Sequence, residues 1–437
     1  MDQASDFEPC FEPIPIDTQR HKEVYRIGVL AIRGVEAAFK AYNSTFADYL
    51  TQTAGQRFDP PISFEMIDLN WQTMYEMTEA NDIDFTFVNS AAATCLTAQY
   101  STQSLATIVG STTKDGKRYN MSKFGGLIIT RADNEQIERI EDLEGKIIGA
   151  ASISGFGSGL MQFYEMKKRG MSFINDPAQI VFTRNQNLVV QGVLDGTLDV
   201  GFVRTGQIEK SKDADGVPVN ATKLKILESR IDEVDGIAFP FEHTTPLYPE
   251  WNVAATHATP EDVSREVQSA LLALHEHART GHAIETCRLL ANTTEECNDI
   301  DSLDPIARCD TNVQVAISAS EALECGGYAR WRTTLAYNTV RDVLQDTGFI
   351  RSNPETNTWQ CQPPSNLYDQ IVCPEGTSKV SEERFAVTCM EEGYDCPAGF
   401  ECLCQPCMEP LECDDTSFLI GGNCVNVWGI YACKCTF

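Results

Sequence analysis

One run of small residues could bind an anion through its main chain. Residues 151–159 read Ala-Ser-Ile-Ser-Gly-Phe-Gly-Ser-Gly, between an apolar predicted strand and a predicted helix over residues 160–170. Small side chains at such a turn leave N–H groups uncovered, and the start of the helix adds positive potential. A tight turn without a ligand is the alternative. We expect the oxygens of a phosphate, sulfonate or carboxylate to contact Ser152, Ser154, Gly155, Phe156, Gly157 and Ser158.

Two similar stretches offer further donors. Residues 83–89 and 198–204 each follow a helical segment, read as an apolar strand and end in a polar residue. Ligands of open α/β sheets bind beyond the carboxyl ends of strands. The alternatives are a helix cap for Asn89 and an ion pair for Arg204. We expect the ligand to contact Asn89, Ser90, Arg204 and Thr205.

Arg33 and Tyr248 complete the predicted site. Arg33 follows the first predicted strand, so it should lie at the rim of the site or in the turn alone. Tyr248 could wall an apolar side of the pocket together with Trp71, Tyr75 and Trp251. Packing in a core is the alternative for all four aromatic residues.

The sequence carries no recognisable catalytic or metal-binding pattern. His275, His277 and His282 lack the i, i+4 spacing of a zinc helix, and Cys404-Gln-Pro-Cys407 has no second Cys-x-x-Cys pair. There is neither a Gly-x-Ser-x-Gly elbow nor a His-Glu-x-x-His motif, and the glycines match no nucleotide-binding loop. We therefore predict no catalytic residue, no metal and no cofactor.

Alternating elements must position the predicted site. Between residues 24 and 205, short apolar runs alternate with segments of helical period, which is typical of an α/β domain with largely parallel sheets. The first predicted helix carries Val35, Phe39, Tyr42, Phe46 and Tyr49 on one face. The predicted strands are residues 25–32, 62–69, 83–88, 105–110, 124–130, 147–151, 180–183, 198–203 and 237–241. Later helices are predicted over residues 260–279, with Thr259 as N-cap, and over residues 328–345.

Length and charge narrow the choice of partners. A chain of 437 residues with 42% hydrophobic content can bury a large core in two or three domains. The net charge of -29 argues against nucleic acids, which bind basic surfaces. A few main-chain amides and one Arg can still hold a small anion in an acidic protein, because such fields are short-ranged in salt.

The 17 cysteines indicate an oxidising compartment, because most of them crowd the C-terminal end. Four Asn-x-Ser/Thr triplets fit a secreted glycoprotein, at Asn43, Asn120, Asn220 and Asn292. The N-terminus lacks a basic start and an apolar run, so we expect that a signal peptide was removed. The cysteines predicted to form disulfides are Cys287, Cys297, Cys309, Cys325, Cys361, Cys373, Cys389, Cys396, Cys402, Cys404, Cys407, Cys413, Cys424 and Cys433.

Seven motifs follow one another along the chain, at residues 27–34, 84–89, 124–131, 140–146, 154–157, 200–205 and 247–251. In this order they resemble the phosphonate-binding periplasmic protein family, most closely its form in sensor domains of bacterial histidine kinases. The resemblance covers about residues 25–350 and implies a type II periplasmic-binding-protein fold, in which two lobes close on a ligand about a hinge. It also implies that the cleft is lined by residues 152–158, by Asn89 and Ser90, and by the Arg204 region.

The C-terminal tail resembles the second half of an epidermal-growth-factor-like module over residues 424–435. The acidic calcium-ligand run of that module is missing, and a sixth cysteine is expected beyond Phe437. The predicted organisation is an extension over residues 1–23, a solute-binding domain over 24–350 and the cysteine-rich module over 351–437. Lobe 1 is expected at about 24–123 and 231–350, lobe 2 at about 124–230, and a cysteine-containing insertion at about 281–327.

The leading hypothesis is the extracellular ectodomain of a receptor that captures a small anionic or polar solute. Its membrane span and signalling domain would lie outside this sequence, which contains no apolar run of the roughly 18 residues that cross a bilayer. The alternatives are a solute-binding protein for uptake of phosphonate-like anions and an adhesion module with a vestigial cleft. An enzyme is the least favoured hypothesis, although fold alone does not fix function.

Overall fold

The computed structural model describes residues 21–274 except 33, 152–154, 174, 184 and 214, and then 315, 318–320, 322–323, 327–353 and 358–361. Four short strands further along are also described. Strands and helices are numbered in chain order. The strands of the solute-binding part are β1 Val24–Leu30, β2 Ser63–Leu69, β3 Phe85–Val88, β4 Gln103–Lys114, β5 Lys117–Met121, β6 Lys123–Phe124, β7 Gly126–Arg131, β8 Ile147–Ala150, β9 Gln179–Phe182, β10 Val200–Arg204, β11 Leu224–Ile226, β12 Glu233–Val234, β13 Ile237–Ala238, β14 Tyr248–Pro249, β15 Asn252–Ala255 and β16 Tyr328–Thr333.

Helices cover both sheets. Two short π-helical stretches, Ser44–Tyr49 and Phe156–Leu160, precede α2 and α5 respectively. The helices are α1 Val35–Asn43, α2 Leu50–Gln52, α3 Thr73–Glu79, α4 Ser90–Tyr100, α5 Met161–Lys168, α6 Gln186–Asp195, α7 Gln207–Lys210, α8 Glu261–Ala273 and α9 Asn338–Asp346.

Two separate sheets confirm the two-lobed α/β architecture. In lobe 1 the strand order is β16-β4-β15-β3-β1-β2, with β5 paired to β4; in lobe 2 it is β11-β7-β10-β8-β9. The similar stretches at residues 83–89 and 198–204 supply β3 and β10, one in each lobe. The prediction of largely parallel sheets is wrong, because β7 and β15 each enter a sheet from the other lobe and run antiparallel to their neighbours.

Two short strands form the passage between the lobes. β6 carries the chain out of lobe 1 and β14 carries it back, and the two pair antiparallel through Phe124 and Tyr248. Before the return, Thr244 still bonds to lobe 2, since its N–H donates to the Gly126 carbonyl at 3.0 Å. Thr244 thus still bonds to lobe 2 past the boundary expected at residue 231, and the division of the chain at that residue stays a prediction. The predicted strand over residues 237–241 shortens to β13, which pairs with β12 alone.

A third connection joins the lobes behind the passage. Helix α9 follows β16 of lobe 1, yet Val340, Val343 and Leu344 pack in the core of lobe 2 together with Ala91 and Cys95 of α4. The predicted helix over residues 328–345 was wrong in its first half. Alternate residues of β16 are buried, which is the period of a strand and not of a helix.

One disulfide closes this side of the molecule. Cys95 in α4 is bonded to Cys361 in β18 (Thr358–Cys361), which pairs with β17 (Ile350–Asn353). The hairpin crosses the module boundary expected at residue 351. Cys361 was among the predicted bridge cysteines and Cys95 was not. The other predicted bridges lie outside the described side chains.

The remaining sequence predictions for this region have mixed outcomes. Strands β19 Thr377–Lys379, β20 Phe418–Ile420, β21 Asn423–Val425 and β22 Cys433–Cys435 form two small pairs in the tail, and the epidermal-growth-factor-like module stays a prediction.

Helix α8 begins at Glu261 after Pro260, so the N-cap predicted at Thr259 is wrong; the Thr259 hydroxyl donates to the Asp84 carbonyl at 2.6 Å. Asn120 and Asn220 are exposed, Asn43 is half-buried, and Asn292 lies outside the described residues.

Candidate functional site

Arg204 lies where the two lobes meet. It is the last residue of β10, and its Nη2 donates to Oε1 of Glu250 at 2.7 Å. The guanidinium also lies over the ring of Phe124, 4.4 Å from the centroid. The predicted alternative for Arg204, an ion pair, is thus present, but its partner Glu250 is only 5% exposed and belongs to the return passage. Arg204 therefore links lobe 2 to the passage between the lobes.

The glycine-serine turn packs against Arg204. A Cβ placed on Gly157 would lie 2.7 Å from the Phe124 ring and 3.1 Å from Cβ of Arg204, so only glycine allows this approach. The Gln162 amide nitrogen donates to the Gly157 carbonyl at 3.0 Å and to the carbonyl of Val203 at 3.1 Å, which ties the turn to β10. Gly157 is thus fixed against β10 by contacts within the protein.

The individual residues of this turn differ in exposure. Phe156 and Ser158 are buried, and Gly155 is half-buried at the start of the π-helical stretch. The Phe156 ring packs edge-on against Tyr248, with centroids 5.1 Å apart. Ser152 and Ser154 lie outside the described residues. Contact of the turn with a ligand stays a prediction.

Four other predicted ligand contacts have partners inside the protein. The Asn89 side chain caps α4 by accepting from the Ala92 N–H at 2.9 Å, and the buried Ser90 hydroxyl donates to the Pro249 carbonyl at 2.5 Å. The Thr205 hydroxyl accepts from the Gly125 N–H at 3.2 Å. Tyr248 is 2% exposed, and this burial raises the pKa of its hydroxyl. In this structure these four side chains are engaged in contacts within the protein, and they support the site.

A cavity of about 330 Å³ lies beyond the carboxyl end of β1. Its walls come from the β1–α1 turn and α1, from Trp251 and from Tyr328, and Arg204 borders it from lobe 2. This is the position at which open α/β sheets bind ligands. Arg33 lies outside the described residues, between Ile32, which lines the cavity, and Gly34.

The cavity contains one cation that sequence reasoning missed. Lys40 of α1 lines it, is exposed and faces the same space as Arg204. Helical spacing could have indicated that Lys40 belongs to the site, because Ala37, Lys40 and Ala41 lie on one face of α1. Glu250 was also missed, although it lies in the motif at residues 247–251. Lys40 and Arg204 thus place two positive side chains at the cavity, and the Glu250 carboxylate is paired with Arg204.

Neither a metal site nor a membrane span is found among the described residues. In that part of the chain no group of three or more His, Cys, Asp or Glu side chains could hold a metal ion. Across the same ranges no helix combines the length and apolar character needed to cross a bilayer.

Two α/β lobes, a paired passage between them and a cavity at their meeting point define a solute-binding protein of the two-lobed periplasmic type. Residues 28–289 match the family model of ABC transporter, phosphonate, periplasmic substrate-binding proteins. The chain belongs to this family. The resemblance inferred from the sequence motifs and the type II fold that it implied are confirmed.

A curated relative is the tetrathionate sensor histidine kinase TtrS of Salmonella typhimurium. It is 28% identical over 254 residues, which are 56% of this chain and 39% of the relative. The chain therefore spans about two fifths of the length of that relative. The similarity to a sensor-kinase form of the family, expected from the motifs, is confirmed.

The similarity to solved structures is weaker. PhnD1 of Prochlorococcus marinus in complex with methylphosphonate has a TM-score of 0.47 at 13% identity, covering 75% of this chain and 98% of that chain. XAC2383 of Xanthomonas citri bound to ATP has a TM-score of 0.44 at 15% identity, covering 70% and 98%. The aliphatic sulphonate binding protein SsuA of Escherichia coli has a TM-score of 0.40 at 11% identity, covering 78% and 98%.

Proposed function

We propose that the chain is the extracytoplasmic ligand-binding part of a receptor and captures a small anion between its lobes. The observation that carries the proposal is the position of Arg204, which borders the 330 Å³ cavity of lobe 1 from the end of a lobe 2 strand. An anion bound there touches both lobes at once. Its binding energy would therefore favour one relative position of the lobes over others.

Arg204 has capacity for a ligand in addition to Glu250. A guanidinium has five N–H donors, and the observed bond to Glu250 is made by Nη2. The remaining donors can form charge-assisted hydrogen bonds with a carboxylate, phosphonate or sulfonate. Lys40 would face the anion from α1, and the main chain of residues 155–157 would add N–H donors from beside Arg204.

The paired passage supplies the hinge in this proposal. β6 and β14 have two residues each, so few main-chain torsions need to change when the lobes approach. The bond of Glu250 to Arg204 lies directly after β14. An anion that binds Arg204 would therefore change the bond between Arg204 and Glu250, next to the passage.

The sensor-kinase relative favours signalling as the outcome of binding. The name of that relative contains tetrathionate, which is a sulfur oxyanion. The binding experiment below therefore includes sulfur oxyanions as well as phosphonates. The proposed location is extracellular or periplasmic, with the membrane span and the signalling domain encoded outside this sequence. The cysteine-rich tail would pass the change in lobe position onward.

Isothermal titration of the folded protein tests the capture of an anion. The probes are phosphate, methylphosphonate, sulfate, tetrathionate and simple carboxylates, and we expect saturable binding of one class. Arg204→Ala should weaken that binding by about 10- to 100-fold, since charged hydrogen bonds contribute about 1.5–3 kcal/mol. Absence of binding by every probe would refute the proposal.

A second candidate function is delivery of the anion to a permease. The description of the family as ABC transporter substrate-binding proteins favours it. The complete coding sequence distinguishes the two candidates, because a receptor requires a signalling domain on the same chain. A free or lipid-anchored chain encoded beside a permease would support uptake.

A further inference from the structure

A hairpin whose base is bonded to lobe 2 also contacts lobe 1. We call residues 231–241, which include β12 and β13, the strap. Arg230 and His243 form a main-chain bridge at its base, and the Thr244 hydroxyl donates to the Leu227 carbonyl at 2.8 Å. Leu227 follows β11 directly, so the base of the strap is fixed to the sheet of lobe 2.

The end of the strap is a tight turn. Asp235 and Gly236 join β12 to β13 as a two-residue loop, and both have positive φ angles, of 53° and 77°. An Asp-Gly pair favours this kind of hairpin turn. Behind the turn the rings of Phe239 and Phe241 are buried, with centroids 6.0 Å apart. The strap is therefore a packed hairpin that holds its turn in a defined place.

Lobe 1 extends an arm on the side of lobe 2. β4 is longer than β15 and β16 beside it, and its last residues, up to Lys114, pair with β5. β4 runs in the same direction as β3 and β1, because β3 and β4 both pair antiparallel with β15. The hairpin of β4 and β5 therefore projects on the side of the cavity, which Arg204 borders from lobe 2.

Two cations of lobe 1 hold the strap. At the end of the arm, Nζ of Lys114 donates to the Pro240 carbonyl at 2.7 Å and lies over the Phe241 ring, 5.2 Å from its centroid. In β16, Nη1 of Arg332 donates to Oδ2 of Asp235 at 2.7 Å. These contacts join the lobes without involving β6, β14 or α9.

The contacts of the arm lie away from the paired passage. Lys117 pairs with Lys114 at the end of the arm, whereas Lys123 lies in β6 of the passage. At about 3.3 Å per residue, the strand between Lys117 and Lys123 spans up to roughly 20 Å. Rotation of the lobes about the passage would move the end of the arm much further than its base. Such a rotation therefore cannot occur without breaking the contacts of Lys114.

We infer that the strap is a latch, which holds the two lobes together in the protein without ligand. Each contact is of a weak kind, because the side chains of Asp235 and Arg332 are 65% and 29% exposed and the other contact is a single cation over a ring. Together they should shift the equilibrium between joined and separated lobes by about tenfold. A ligand that prefers another lobe position can overcome a bias of this size, so the latch would tune the movement without blocking it.

Small-angle X-ray scattering of the full chain without ligand tests the latch. The double variant Lys114→Ala/Arg332→Ala should have a larger radius of gyration than the unaltered protein, and amide hydrogen exchange at residues 237–241 should be about tenfold faster. Arg330→Ala, at an exposed arginine of the same strand, is the matched control and should change neither value. An unchanged radius of gyration in the double variant would overturn the inference. The proposed capture of an anion would then still stand, because no ligand enters this measurement.

An exchange of charges separates a direct contact from a general loss of packing. Asp235→Arg and Arg332→Asp should each enlarge the protein, since each places two like charges opposite one another. The variant with both changes restores an opposite pair, so its radius of gyration should return towards that of the unaltered protein. A combined variant as expanded as either single variant would show that this ion pair does not hold the lobes.

Discussion

The guanidinium of Arg204 and the carboxylate of Glu250 join lobe 2 to the passage between the lobes, at 2.7 Å. Arg204 is one third exposed on its side chain and Glu250 is nearly buried. An arriving anion therefore competes with Glu250 for the same cation. Removing the carboxylate should leave more of the Arg204 charge for the ligand.

We expect Glu250→Gln to raise anion affinity by about two- to fivefold, because a partly exposed ion pair contributes up to about 1 kcal/mol. Isothermal titration at fixed ionic strength measures this change. Glu233→Gln, an exposed acid of lobe 2, controls for the change in net charge. Weaker binding in Glu250→Gln would show that the carboxylate positions Arg204 and does not compete with the ligand.

Gly157 permits the close packing of the turn on Arg204 and Phe124. Gly157→Ala should lower the free energy of unfolding by about 1–3 kcal/mol, because its Cβ has no room beside the Phe124 ring. Urea unfolding gives this value. Gly110→Ala is the control, since its Cβ would meet only ordinary contacts at 3.6 Å or more. Equal stability of the two variants would contradict the packing described for the turn.

The disulfide between Cys95 and Cys361 ties α4 to the hairpin after α9. It closes a long loop, with a sequence separation of 266 residues, so its loss should cost about 2–5 kcal/mol of stability. Cys95→Ala, Cys361→Ala and the double variant should be destabilised alike, because either change removes the whole bond. Peptide mapping without reduction should recover the linked pair. Additive losses in the two single variants would argue against the bond.

His243 makes stability depend on pH. Its ring is fully buried, Nδ1 donates to the Thr245 carbonyl at 2.7 Å, and burial lowers its pKa below the usual 6.5. The charged groups that face it are Asp232, 3.8 Å from Nε2, and Arg230. Because the unfolded chain binds the proton at higher pH than the folded one, stability is complete above the usual pKa and falls as pH drops below it.

Replacement of His243 should flatten this dependence. Urea unfolding between about pH 5 and about pH 8 should show a smaller loss at low pH in His243→Gln than in the unaltered protein. His257→Gln, at an exposed histidine, should keep the full loss. An identical slope in His243→Gln would assign the pH dependence to other groups.

The sequence predicted the elements whose signals are local. Period and apolar runs located most strands to within a few residues, and the rule for carboxyl ends of strands placed Arg204 at the meeting point of the lobes. The residues that were missed depend on contacts distant in sequence. Glu250 meets Arg204 only after the chain has returned to lobe 1, and Cys95 meets Cys361 across most of the described chain.

The strands that were missed or predicted as helix have short or ambiguous patterns in the sequence. β14 has two residues, too few for any period, so the return passage could not be found from hydropathy. β16 alternates buried and exposed residues, a period of two that the predicted helix over residues 328–345 overlooked. Burial of Ser90 and Tyr248 likewise follows from the pairing of the passage strands, which no local pattern encodes.

A crystal structure of the protein with its tightest anion tests the central claim most directly. Electron density for the acidic group within hydrogen-bonding distance of Arg204, inside the cavity bordered by α1 and Trp251, is the result we predict. Density for the anion outside that cavity, or an unfilled cavity at a concentration that saturates binding in solution, would contradict the account.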